Sequence, residues 1–129
     1  MDAGPRKKVV LVVEDEQQQR EVLVSTLTAA GFNVIQAMNG KLGLAMALDR
    51  QPDIVLLDIR MPEMTGFEML KRLRKTGQWG ATVPVVFLTN IQMTDEAESE
   101  DVEGTQPAHY FVKSDTSLEK IVEKIKELA

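Results

Sequence analysis

Residues 9–16 read VVLVVEDE: five apolar residues running directly into three acids. The run is mostly β-branched, does not alternate with polar residues and is far too short to span a membrane. Such a run suits a strand covered on both faces, as in a parallel sheet sandwiched by helices. Glu14, Asp15 and Glu16 then concentrate negative charge where that strand ends. One account is local: Asp15 caps the next helix and Glu16 favours its first turn. The other is a functional cluster of carboxylates, and the stretch alone does not choose between them.

The chain has 129 residues, enough for one domain with a real core. It has no cysteine, which excludes disulfides and thiolate metal sites. The formal charge is −5, from 15 basic and 20 acidic residues, and argues against a large basic face for nucleic acid. No secretory signal or membrane-length apolar segment is read, so the expected home is the cytoplasm, without membrane attachment.

Residues 1–6 read as a flexible tail and 7–129 as the domain. Helical spacing of Val22, Leu23 and Leu27 predicts a helix over 16–30, stopped by Gly31. A short strand follows at 33–37, a helix at 40–50, and an apolar strand at 53–57 that ends in Asp58. After the loop IRMPEMTG, Phe67, Leu70 and Leu73 mark a helix ending near Gly77. Residues 83–88 form a strand ending in Thr89. Residues 109–112 form a last strand ending in Lys113. Leu118, Ile121, Val122, Ile125 and Leu128 give an amphipathic C-terminal helix. A β-α alternation repeated five times predicts an α/β, doubly wound, five-stranded parallel sheet with right-handed crossovers.

In such a sheet the polar strand ends share one edge, where open α/β sheets bind ligands. A flavodoxin-like order of 2-1-3-4-5 sets the first and third strands side by side, so Glu14, Asp15 and Asp58 converge. Clustered carboxylates favour a cation among them, and a small set of hard oxygen ligands suits Mg²⁺. With the Lys113 ammonium and the Thr89 hydroxyl, this is a cradle for phosphoryl transfer, and a carboxylate is a competent nucleophile.

From residue 8 to residue 128 the sequence resembles the receiver domain of two-component response regulators, chiefly the single-domain, chemotaxis-regulator-like kind. The resemblance rests on VVEDE, LLDIRMPEMTGFEML, FLT and YFVKS, in that order. It implies that Asp58 accepts a phosphoryl group from a histidine kinase or histidine phosphotransfer protein. Glu14, Asp15, Asp58 and the backbone carbonyl of Arg60 would hold Mg²⁺. Lys113 and Thr89 would meet phosphoryl oxygens, the Asn90 backbone N–H would bind phosphate, and Thr89 and Tyr110 would form the switch. The output face would comprise the fourth helix, last strand and last helix. It would serve a downstream partner or an output domain outside this sequence, and a phosphorylation-dependent dimer is one form it allows.

Three features depart from the family pattern. Ser114 stands where proline after a cis bond is usual. A cis bond before a non-proline residue costs about 2.5–4 kcal/mol, so the loop is either trans and rearranged or strained. Asn90 stands where a small residue is usual and narrows the path to Asp58. The segment TDEAESEDVE (94–103) carries six acids with two apolar anchors, Ala97 and Val102, which predicts a marginal fourth helix. His109 reads as a surface residue of the last strand. Lys71, Arg72, Arg74 and Lys75 read as a solvated helix face. The competing function classes are a phosphorylation-independent interaction module and an aspartyl phosphohydrolase. The latter usually carries a second acid where this chain has Arg60.

Overall fold

The computed structural model describes residues 6–89 and 109–129. Five parallel strands, β1 (Val9–Val13), β2 (Asn33–Ala37), β3 (Ile54–Asp58), β4 (Val85–Thr89) and β5 (His109–Val112), lie in the order β2-β1-β3-β4-β5. Among the described residues the helices are α1 (Gln17–Ala29), α2 (Gly40–Arg50), α3 (Gly66–Arg74), α4 (Gln78–Thr82) and α5 (Leu118–Leu128). A 3₁₀ turn over Lys113–Asp115 leads from β5 toward α5. This is the doubly wound, five-stranded parallel sheet that the alternation predicts, in the flavodoxin-like strand order. Among the described residues no helix is long and apolar enough to cross a membrane.

The strand sequences explain the layering. Side chains alternate across the sheet, so each central strand feeds both faces. Leu11, Val13, Val55, Leu57, Val85 and Phe87 pack with Ala47 of α2 and Met69, Leu70 and Leu73 of α3. Val10, Val12, Ile54, Leu56, Val86 and Leu88 pack with Leu23 and Leu27 of α1 and Ile121 and Ile125 of α5. Burying each such Leu, Ile or Phe contributes about 1.5–3 kcal/mol. Both faces of β1, β3 and β4 are therefore apolar, as a continuous apolar run requires.

Local chemistry sets the helix starts. Asn39 accepts from Leu42 N at 2.8 Å, Thr65 from Glu68 N at 3.2 Å, and Ser117 from Lys120 N at 3.2 Å. Gly31, with φ 103°, ends the passage out of α1 in a conformation that suits glycine. Gly66 has a different role. A Cβ there would run into the Asp58 carbonyl oxygen and lie 2.9 Å from Ile59 Cα, so only glycine lets α3 start against the end of β3.

Several boundaries differ from the sequence reading. Strand β4 begins at Val85, not residue 83. Pro84 has no N–H, and only its carbonyl joins the ladder, accepting from Val55 N at 3.0 Å. Residue 53 is not in β3: the Asp53 carboxylate accepts from Val9 N at 2.7 Å and from Arg6 at 3.2 Å. Arg6 is thus tied to the domain by an ion pair, although its side chain is largely exposed. Arg74 is not part of a solvated face, because its guanidinium donates to Gly80 O at 3.0 Å and Val83 O at 2.6 Å. Those bonds anchor the short helix α4, which the sequence reading left out. His109 is half-buried and stacks edge-on against Phe111, with ring centroids 4.4 Å apart. Asn90 and residues 94–103 lie outside the described residues.

Candidate functional site

Parallel register brings the strand ends together. Val13 pairs with Leu57 and Asp58 with Leu88, so the residues ending β1, β3 and β4 line one edge. Continuing the alternation past the strands, Glu14, Asp58 and Lys113 share the face packed by α1 and α5. Thr89 follows Phe87 toward the opposite face, where Tyr110 is Phe87's neighbour across the ladder.

Glu14, Asp15 and Asp58 each present a carboxylate oxygen, all within 4.8 Å of one another. Glu14 is 1% exposed and Asp58 8%, so both carboxyls sit largely out of water. Asp15 is half-buried and does not cap α1: the cap residue is Glu16, with no side-chain capping bond. The local account of the acids therefore does not hold. Lys113 Nζ donates to Glu14 Oε1 at 2.8 Å and lies 3.9 Å from Asp58 Oδ2. It also donates to Gln19 Oε1 on α1. One ammonium thus serves a cluster of three acids, leaving negative charge in excess.

Burial, foremost, and then the adjoining Asp58 carboxyl push the Glu14 pKa up to about 8, against the lowering effect of Lys113. The second Glu14 oxygen, Oε2, is buried without a hydrogen-bond partner among the described residues. A buried carboxylate oxygen left unsatisfied is costly unless something positive meets it. The orphaned oxygen and the all-oxygen donor set together fit a small hard cation such as Mg²⁺.

The backbone of the site is fixed from α1 and β2. Arg20 Nη1 donates to Glu14 O at 2.9 Å while its Nε donates to Gln36 at 3.1 Å. Glu14 N in turn donates to Ala37 O at 3.1 Å. Neither Gln19 nor Arg20 stands out in the sequence. The available signal was positional: α1 begins immediately after the acids, so polar residues of its first turn border them.

Of the other expected site residues, Thr89 is buried at the end of β4, Tyr110 is half-buried beside the core, and Arg60 is exposed in the loop after β3. No peptide bond among the described residues is cis, so Lys113–Ser114 is trans and enters the 3₁₀ turn directly.

Residues 10–126 match the response regulator receiver domain family. The chain is 33% identical over 93 residues to the DNA-binding dual master transcriptional regulator RpaA of Synechocystis sp., a match covering 71% of this chain and 38% of RpaA. It therefore spans little more than a third of that relative's length. It is 28% identical over 119 residues to the polar-differentiation response regulator DivK of Brucella anthropi, covering 92% of this chain and 94% of DivK. Among solved structures, the chemotaxis protein CheY4 of Vibrio cholerae superimposes with a TM-score of 0.86 at 27% identity, covering 96% of this chain and all of that one.

Proposed function

The chain belongs to the response regulator receiver domain family, and from that membership we propose that it is a phosphorylation-driven switch with Asp58 as acceptor. The observation that carries the reading is the setting of Asp58, a nearly buried carboxylate within 4.8 Å of two other acids and 3.9 Å from an ammonium. That setting suits a group that receives charge and must have it neutralised.

The proposed donor is a phosphohistidine on a kinase or phosphotransfer protein. An Asp58 carboxylate oxygen attacks phosphorus in line. The N–P bond breaks as the O–P bond forms, and the imidazole departs with the bonding pair. Lys113 meets the charge on a transferred oxygen, and the Thr89 hydroxyl and Asn90 N–H bond others. Glu14, Asp15, Asp58 and the carbonyl of Arg60 would hold Mg²⁺, which, when bound, supplies further charge neutralisation. Hydrolysis of the acyl phosphate by water resets the switch. Asp58 modification biases Thr89 and Tyr110, and through them the output surface that docks a downstream partner or domain. The proposed setting is the cytoplasm, on a domain of residues 7–129.

Incubation with acetyl phosphate and Mg²⁺, followed by intact-mass measurement, tests this. The expected result is the gain of one alkali-labile phosphoryl group, absent from Asp58→Asn. A chain that stays unmodified with acetyl phosphate and with phosphorylated kinases would instead be a phosphorylation-independent interaction module.

A further inference from the structure

Lys113 is held by more than the acids. A lysine ammonium has three N–H donors. One goes to Glu14 Oε1 at 2.8 Å and one to the amide oxygen of Gln19. Asp58 Oδ2, at 3.9 Å, is near enough to attract the ammonium but beyond hydrogen-bond reach. Both short contacts therefore compete with the acceptor carboxylate for the ammonium. Gln19 is itself fixed, because its amide N–H donates to Glu16 Oε2 at 2.7 Å, turning the carbonyl oxygen toward Lys113.

Resting on the reading of Asp58 as phosphoacceptor, we infer that Gln19 is a positioning residue that sets the stand-off between the Lys113 ammonium and Asp58. An oxygen of a phosphoryl group on Asp58, lying to one side of the Nζ–Oδ2 line, comes within hydrogen-bond reach of an ammonium held 3.9 Å from Oδ2. Such an oxygen accepts from Lys113 without the lysine leaving its tether. Coulomb attraction alone would draw Lys113 into a direct pair with Asp58, covering the nucleophile and lowering its reactivity. The neutral amide of Gln19 resists that collapse without adding a further acid to the cluster. Its position on α1, 94 residues before Lys113 in the chain, ties the β5 end of the site to the β1 end.

The test compares phosphorylation rates with acetyl phosphate and Mg²⁺. Gln19→Met, of similar length but without the accepting oxygen, is expected to be about tenfold slower, the scale of one hydrogen bond to a charged group. Gln19→Glu, which keeps an accepting oxygen but adds a negative charge and loses the N–H that donates to Glu16, recovers only part of the rate. A double-mutant cycle isolates the route: in a Lys113→Met background, adding Gln19→Met changes the rate less than twofold. Equal rates for wild type and Gln19→Met overturn the inference, as does an unchanged tenfold loss in the Lys113→Met background. A wild-type chain that takes up no phosphoryl group overturns the phosphoacceptor reading itself, and the inference with it.

Discussion

Replacing Gly66 with alanine tests whether the acceptor's position depends on the seating of α3. The added Cβ would press on the Asp58 carbonyl oxygen, 2.9 Å from Ile59 Cα and 3.1 Å from the Asp58 carbonyl carbon. All three are backbone atoms at the end of a buried strand, so none can swing aside. Gly66 N also donates to Ile59 O at 2.9 Å, a bond that any retreat of α3 stretches. Overpacking of this kind costs up to about 3 kcal/mol, and alanine's better helix propensity returns at most about 1 kcal/mol, leaving about 2 kcal/mol of destabilisation. For a domain of this size that lowers the melting temperature by roughly 6–10 °C. Because the strain falls on Asp58 itself, phosphorylation by acetyl phosphate should slow by at least tenfold at a temperature where the variant is folded. Gly43→Ala is the control. Its Cβ would meet only side chains, Val13 Cγ2 at 2.8 Å and Met69 Sδ at 3.1 Å, so stability falls while the phosphorylation rate holds. Thermal unfolding followed by circular dichroism, paired with the rate measurement, reads both effects. A Gly66→Ala protein that melts and reacts like wild type would refute the reasoning.

Three further outcomes follow from the same geometry. Mg²⁺ should raise the melting temperature of the wild-type chain, by about 2.7 kcal/mol of stability at a hundred times its dissociation constant. Asp58→Asn should lose most of that protection, as calorimetry with and without Mg²⁺ will read. Burial foremost, then the Lys124 charge, lowers the His109 pKa below 6.5, with Glu127 opposing. The unfolded chain therefore takes up this proton first, and stability present above pH 6.5 is lost as pH falls through and below it. His109→Gln should flatten that part of a urea-midpoint profile. Arg74→Ala should cost about 2–3 kcal/mol by leaving Gly80 O and Val83 O without their charged donor. Faster hydrogen exchange in α4 would locate the effect.

The frame of the protein was legible because buried parallel strands must be apolar on both faces. Val9 to Val13 and Ile54 to Leu57 announce themselves, and an acid directly after such a run needs a reason. The three converging carboxylates followed from strand order alone, since β1 and β3 are neighbours. The helix α4 was not legible because QWGAT has no apolar period and contains Gly80. It is held by Arg74, whose charge reads as solvated until its carbonyl partners are known. The start of β4 was hidden by Pro84, apolar in pattern but lacking the donor a strand needs. Gln19 was hidden for another reason: its partner lies 94 residues on, in the turn after β5, so no local spacing pairs it with Lys113.

Borohydride trapping after phosphorylation, followed by peptide mapping, tests the central claim most directly, because the reagent reduces an acyl phosphate at the carboxyl that carried it. The account predicts reduction at residue 58 alone, dependent on Mg²⁺. Reduction at residue 14 or 15 instead, or at no carboxyl in a chain that had gained phosphate, would contradict it.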